Sequence, residues 1–391
     1  MATVEIQDQL DQLARVLGRG VSIDDTRRRM VAYSKHVGTV DPVRTAGILT
    51  RECPPDVGAW QDEHIRGAHG PVRVPANVDL EMTARLAVPL RLSGKLYGHL
   101  WVLEGATRLT EAEQSAAATT AAEIAELFDK AEQDRDRRIR RDQAMLDTVL
   151  DDKRREPPDF QFVPSRQRAM TVLVIAPVTG TPPHPFVPPL PDAELLGALS
   201  ALPHQAVLTG IRSGMVTALL PVETMHTKAV QLREATARQI TAHRAVAGAA
   251  HPVHDGAELR SAERRARYAA EVAAADPTGG DVRTWSDLGA LRLLAERAPL
   301  FPTDVEELFP EATTLLSSRT GATFATSVEA FLDNGGNIGT TAKHLCVHRA
   351  TLYYRLERAA ALVDVDLSDG AARTALHLGL KAARLAGLLG S

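Results

Sequence analysis

Residues 337–358, NIGTTAKHLCVHRATLYYRLER, admit few folds. Asn337 follows the Gly335-Gly336 break and suits a helix N-cap. Ile338, Ala342 and Leu345 then recur at helical spacing, Cys346-Val347-His348 interrupt the pattern, and Leu352, Leu356 and Ala359 resume it. The expected product is two short helices joined by a tight turn. Small Ala342 lets the helices cross closely, and Val347 plugs the corner. Ahead, Val328, Phe331 and Leu332 mark one supporting helix; behind, Ala372, Leu376, Leu380 and Ala383 mark another. The second helix of the pair carries Arg349, Ala350, Tyr353, Arg355 and Arg358 outward, with Tyr354 at the edge. Within the stretch Lys343, Arg349, Arg355 and Arg358 are basic and Glu357 alone is acidic. Arginine can bind phosphates or guanine edges, and tyrosine hydroxyls can bind phosphates, so this face suits the major groove of DNA. The competing reading is an ordinary helical pair whose charges solvate its outer side.

The whole chain limits how such a face could work. Its formal net charge is −4, so any attraction to nucleic acid is local and sensitive to salt. The 391 residues suffice for roughly two to four domains. Hydrophobic residues make up 44% and aromatics only 4%, which predicts aliphatic cores. Cys53 and Cys346 are far apart and exclude a disulfide framework or a zinc ribbon. The opening MATVEIQDQLDQL is polar and acidic, unlike a signal peptide, and no run of eighteen apolar residues occurs. A cytoplasmic location without membrane contact is the expectation.

The first third predicts a helix over 1–17, from Ile6, Leu10, Leu13 and Leu17. VSIDD and RRMVAYS predict strands, and a helix over 41–51 starts at Asp41-Pro42. ARLAVPLRLSGKLYGHLWVLEG predicts a hairpin at Ser93-Gly94. Leu86, Val88, Leu90 and Leu92 line one face of its first strand, and Leu96, Gly98, Leu100 and Val102 follow in the second. A long helix begins at the Thr110–Glu113 capping box. A small antiparallel sheet with helices on one side is expected, a layout that resembles GAF and PAS-type sensory domains. Tyr33 and Trp101 are candidates either to line a cleft there or to fill its core. The long helix continues with Ile124, Phe128, Ala131, Ile139, Leu146 and Leu150 as a narrow apolar stripe. It reads as a solvated connector or as a dimerising coiled segment, ending at Glu156-Pro157-Pro158.

The middle of the chain reads as a split βαβ arrangement, β-α-β-β-α-β. Its segments are AMTVLVIAP, PDAELLGALSAL, HQAVLTGI with GMVTALLPV around Arg212-Ser213-Gly214, ETMHTKAVQLREATARQITAH and RAVAGAAHPV. A helix over AELRSAERRARYAAEVAAA and a strand at VRTW complete it, and TGTPPHPFVPPLPD is a surface loop. This core resembles nucleotide cyclase and GGDEF domains, which hold two metals on paired carboxylates. Here Gly279-Gly280-Asp281 is followed by Val282 and lies after the last long helix, so the second acid is missing. His251-Pro252-Val253-His254-Asp255 is too loosely spaced for a metal site, because Pro252 keeps both rings off one helix face. SDLGALRLLAERA predicts a helix capped by Ser286, and TDVEELFPEATTLL a helix broken at Pro310.

The run from Phe331 to Leu385 resembles the C-terminal helix-turn-helix of PucR/CdaR-type transcriptional regulators. The carrying residues are Asn337, Ala342, Leu345, Val347, His348, Arg349, Thr351, Leu352, Tyr354, Arg355 and Leu356. Two positions depart: Ala350 replaces a frequent Asn, and Tyr353 a frequent basic residue. A methyl in place of an amide changes which base is read, so the operator of relatives does not transfer.

The resemblance implies a multidomain α+β chain with an N-terminal GAF-like α/β domain over 1–131 and a linker helix over 132–160. A degenerate βαββαβ GGDEF-like domain over 161–300, a helical connector over 301–326 and an all-α helix-turn-helix over 327–391 follow. It implies a sequence-specific DNA-binding regulator, not an enzyme, without a cofactor. Double-stranded DNA would meet Lys343, His348, Arg349, Ala350, Thr351, Tyr353, Tyr354, Arg355 and Arg358. A small-molecule effector or partner at the first domain and a homo-oligomer, dimer or higher, are the further expected partners. The alternatives are a signalling protein that uses the first two domains for nucleotide or partner binding, and an adaptor whose last helices bind protein.

Overall fold

The computed structural model describes residues 2–35, 40–105, 107–151, 169–178, 196–197, 199, 208–240, 244–276, 279–297 and 300–389. The expected stop at Glu156-Pro157-Pro158, the Pro-rich loop and most of the helix expected over PDAELLGALSAL lie outside the described residues. The chain divides into two compact units, Met1–Arg137 and Arg138–Ser391.

The first unit opens with α1 (Ala2–Leu17), β1 (Val21–Asp25), β2 (Met30–Tyr33), α2 (Pro42–Thr50) and α3 (Pro55–Ile65). It continues with β3 (Val72–Val74), β4 (Arg85–Leu92), β5 (Lys95–Leu103) and the beginning of α4 (Glu111–Asp151). The five strands form an antiparallel sheet in the order β2-β1-β5-β4-β3. The β4–β5 hairpin turns at Ser93 and Gly94, both at positive φ, and pairs Val88 with Leu100. Asp41 caps α2 by accepting from Arg44 N, and Thr110 and Glu113 exchange the two bonds of a capping box at α4.

Helices were expected on one side of this sheet; they cover both. Leu86, Val88, Leu90, Leu100 and Val102 pack with α1 and α4, whereas Ala87, Trp101 and Val74 pack with Val43 of α2 and Val57 and Ile65 of α3. The reason lies in β4. Its alternate positions, Arg85 and Ala87, are buried as well, so neither face of the strand meets water.

The second unit contains β6 (Met170–Val178), β7 (Leu208–Arg212), β8 (Met215–Pro221), α5 (Met225–Ala237), β9 (Arg244–Ala249), α6 (Leu259–Ala275) and β10 (Val282–Thr284). The sheet order is β10-β9-β6-β8-β7, with β6 central and antiparallel to both neighbours, and β10 parallel to β9. Every residue of β6 is buried. Val172, Val174 and Val246 pack with Ala262, Ala266 and Ala270 of α6, while Leu173, Ile175 and Ala247 pack with Ala229 and Leu232 of α5.

The last turns of α4 belong to this unit. Leu146, Val149 and Leu150 are buried against its sheet. Gln143 accepts from Ile211 N (2.6 Å) and donates to Ile211 O (3.1 Å), so a side-chain amide satisfies backbone groups of edge strand β7. Arg212, in the β7–β8 hairpin, binds Asp147 and Asp151 of α4 and Glu263 of α6. This end of α4 is therefore packed, not a solvated connector.

The segment Trp285–Arg297 is not the α-helix expected from Ser286. It runs in 3-10 turns around Gly289, at φ 53°, and Asp287 accepts from Thr284 N where a Ser286 cap was expected. Pro310 does break the following helix, into α7 (Pro302–Leu308) and α8 (Pro310–Ser317). Then come α9 (Gly321–Asp333), α10 (Ile338–His344), α11 (Arg349–Val363) and α12 (Gly370–Leu385). Val305, Ala312 and Leu315 of α7 and α8 share one core with Val328, Leu352, Leu356 and Leu380 of the later helices.

That core reaches α6 as well, through Tyr268, Ala269 and Val272. The other side of α6 lies on β9 at Gly248. A Cβ there would sit 2.1 Å from Ala266 O and 2.2 Å from Ala270 N, which are backbone atoms with no rotamer to move. Gly248→Ala is expected to destabilise the chain by about 1–3 kcal/mol through overpacking. Gly370→Ala, which meets open space, should change stability by less than about 0.5 kcal/mol. Denaturant midpoints of the two variants check this, and equal midpoints would refute the close-approach argument.

Candidate nucleic-acid interface

The chain reverses after α9 through Gly335 and Gly336, at φ 61° and 81°. Only glycine adopts this conformation without strain. Asn337 then caps α10, its side-chain oxygen accepting from Thr340 N at 2.9 Å. At the other end of α10, Cys346 sits at φ 53°. Cys346 N donates to Lys343 O (3.2 Å) and Val347 N to Ala342 O (3.0 Å). These two bonds are the Schellman pattern, normally closed by glycine. A non-glycine residue there carries about 1–2 kcal/mol of strain. Val347 follows and packs on the core as the corner residue.

His348 starts α11. Its Nδ1 accepts from Ala350 N at 3.2 Å, so the imidazole is the helix N-cap and its ring stays exposed. Leu352, Leu356 and Ala359 are buried against the core. Thr351, Tyr353, Tyr354 and Arg358 are exposed, as are Lys343, Arg349 and Ala350. The tyrosine rings stand 53% and 56% exposed, which is unusual for large aromatic residues in a well-packed helical domain. The Arg358 guanidinium lies 5.9 Å from the Tyr354 ring centre. The Arg349 guanidinium lies over Gly339, where a methyl would approach Nη2 to 3.1 Å.

Arg355 departs from the outer face on which the sequence places it. It is half-buried, and its Nη1 donates to the hydroxyl of Ser327 on α9 at 3.3 Å. Position 355 is three after Leu352 and four before Ala359, so on a helix it flanks the buried stripe. The remaining basic groups, Lys343, Arg349 and Arg358, lie on the exposed side together with the two tyrosines.

The other residues singled out in sequence occupy structural roles. Asp281 of the Gly-Gly-Asp triplet is held by Arg233 (3.0 Å) and Arg244 (3.1 Å). His251 lies against Arg265 and Glu258. Among the described residues no group of three His, Cys, Asp or Glu is placed to hold a metal ion. No described helix is long and apolar enough to cross a membrane.

Comparison with known proteins bears on the same region. Residues 324–382 match the PucR C-terminal helix-turn-helix domain. The DNA-binding transcriptional activator AdeR of Bacillus subtilis (strain 168) is 29% identical over 104 residues, covering 25% of this chain and 25% of AdeR. The chain thus aligns with about a quarter of that relative's length. The crystal structure of a regulator of polyketide synthase expression from Bifidobacterium adolescentis has 21% identity. It covers 62% of this chain and 92% of that one, at a TM-score of 0.25. The cyanobacteriochrome TePixJ GAF domain has 14% identity, covering 33% of this chain and 89% of that one, at a TM-score of 0.23. Scores this low carry no fold assignment.

The helices α9 and α12 hold an ion network that sequence reasoning missed. Glu329 and Asp333 project from α9 toward α12. Arg384 binds Glu329 (2.5 Å), Lys381 bridges Glu329 (3.0 Å) and Asp333 (2.9 Å), and His377 meets Asp333 at 2.8 Å. Its signal was legible: acids spaced by four on one helix, bases spaced by four and three on another. Burial works against the Asp333 charge, but hydrogen bonds from His377 and Lys381 outweigh it and hold the carboxyl down at about 2. Because the folded-state value is depressed, this stabilisation is present above the ordinary carboxylate range and is lost as pH falls toward 2. Asp333→Asn is therefore expected to melt below the parent protein at neutral pH. The gap should shrink between pH 4 and 2. Parallel thermal melts across that range measure it, and a gap that stays constant would remove Asp333 from the network's energetics.

Proposed function

The chain carries a PucR-type helix-turn-helix at residues 324–382, and from that premise we propose that it is a sequence-specific DNA-binding transcriptional regulator. One observation carries the reading: α11 buries Leu352, Leu356 and Ala359 while exposing Arg349, Tyr353, Tyr354 and Arg358. In this reading residues 349–358 enter the major groove of double-stranded DNA. Arg349 and Arg358 reach phosphates or guanine edges, and Thr351, Tyr353 and Tyr354 supply hydroxyls. Ala350 contacts a thymine methyl, and Lys343 and His348 flank the groove at the start of the helix. Arg355 supports the domain through Ser327 more than it reads DNA.

One such module makes few contacts, so the protein acts as a dimer or higher oligomer on spaced half-sites. The first unit is a GAF-like domain that senses a small effector, an assignment supported by its five-stranded antiparallel sheet packed against α1 and the long α4. The central sheet is a GGDEF-like domain used for assembly. The engagement of Asp281 by two arginines supports a structural rather than catalytic role for its Gly-Gly-Asp triplet. The proposed site of action is the cytoplasm.

Fluorescence anisotropy of the full chain on genomic fragments, across a salt series, tests this. Specific binding should fall steeply with salt. Arg349→Ala should weaken it by about 1–3 kcal/mol. Arg355→Ala should lower the melting temperature and leave the specificity ratio unchanged. Undiminished affinity in a folded Arg349→Ala protein would exclude the groove-reading role.

A further inference from the structure

Residues 337–358 contain one acid, Glu357, to which the groove-reading helix has so far given no role. Its setting differs from that of the acids around it. Glu329 and Asp333 are paired with bases of α12, and Asp369 caps that helix by accepting from Ala372 N. Glu357 is exposed, and among the described residues no hydrogen bond or ion pair reaches its carboxylate. Its own helix supplies no base to pair with it. The positions three and four away on either side are Tyr353, Tyr354, Ala360 and Ala361.

The helix fixes which way this carboxylate points. Leu352, Leu356 and Ala359 mark the buried stripe of α11. At about 100° per residue, Ala350, Tyr353, Tyr354 and Glu357 fall on the opposite side, at i, i+3, i+4 and i+7. All four are exposed. Homeodomain reading helices meet bases at the same spacing. With α11 in the major groove, Glu357 is the fourth member of the face turned to the base edges. A carboxylate there can only accept, and the groove offers it two donors. Guanine and thymine present acceptors. The N6 amino group of adenine lies between two acceptors, its own N7 and the O4 of its thymine. The N4 amino group of cytosine has an acceptor on one side only, the O6 of its guanine. Cytosine is therefore the base that opposes an ionised acceptor least.

We propose that Glu357 is a specificity-determining residue that accepts a hydrogen bond from the N4 amino group of one cytosine in each half-site. The assignment rests on the major-groove reading of α11 given above. The contact works by exclusion as much as by attraction. Any other base at that position leaves the carboxylate stripped of water, and either poorly paired or facing an acceptor. The same charge repels phosphate, so it weakens binding to DNA of unrelated sequence. An acid on an otherwise basic helix thus widens the gap between specific and non-specific binding, at some loss of raw affinity.

The test has the full chain select binding sites from a library of randomised duplex DNA, beside Glu357→Gln and Glu357→Ala. Both substitutions fall on an exposed helical position and favour helix, so thermal melts should show both variants folded. The parent should enrich a cytosine at one position of each half-site. Glu357→Gln should move that position alone from cytosine to adenine, because an amide pairs with adenine N6 and N7 together. Glu357→Ala should leave it without preference. On the parent's selected site, replacing the cytosine should cost the parent roughly 5- to 100-fold in affinity, and the alanine variant less than about threefold. A folded Glu357→Gln protein that selects the parent's sequence unchanged would overturn the proposal. So would affinity raised by one factor on every duplex, which would make Glu357 a repulsive charge only. A parent that enriches no sequence would overturn the regulator reading itself, and this contact with it.

Discussion

The close approach of α6 to β9 at Gly248 is the contact on which the second unit depends. An alanine-rich helix has a thin profile, and a glycine beneath it lets helix backbone meet strand backbone. Ala262, Ala266 and Ala270 fill the interface with the sheet. The opposite side of the same helix, Tyr268, Ala269 and Val272, joins the core of the terminal helices. Tyr268 also donates to Leu291 O, which ties down the 3-10 segment on the way to those helices. One helix therefore belongs to two cores, and a displacement at Gly248 would be felt in both, because packed interiors transmit strain.

Around the terminal helices, polar chemistry is divided by location. Between α9 and α12 the charges are paired: Glu329 and Asp333 meet Lys381, Arg384 and His377. On the exposed side of α10 and α11 the bases Lys343, Arg349 and Arg358 stand with two uncovered tyrosines. This reconciles a chain of net charge −4 with the DNA-facing surface proposed above. Attraction to phosphate falls off over about 10 Å at ordinary salt, so the local patch counts and the distant acidic residues do not. The tight turn at Cys346 holds α10 and α11 in register through two backbone bonds that close on Ala342 and Lys343.

The first unit shows a different division. One face of its sheet is mostly aliphatic, lined by Val21, Ile23, Leu86, Val88, Leu100 and Val102. The other replaces apolar residues with arginines, an aspartate and an indole N–H, at a desolvation penalty that the Asp41–Arg85 pair offsets only in part. Real proteins depart from local rules of burial mainly where function demands it.

How much of this was legible beforehand follows from the range of the forces involved. Local ones were: the Asn337 cap, the Thr110–Glu113 box, the Ser93-Gly94 hairpin, the helix break at Pro310 and the buried stripe Leu352, Leu356, Ala359 all follow from spacing and turn chemistry within a few residues. The positive φ at Cys346, the inward turn of Arg355 toward Ser327, helices on both faces of the first sheet and the unpartnered Nη1 of Arg44 were not. Each depends on a neighbour distant in sequence or on the competition between burial and pairing. A sequence states which side chains can donate, accept or be buried. Only the folded chain decides which of them meet, because that choice is made by packing between elements that no local pattern encodes.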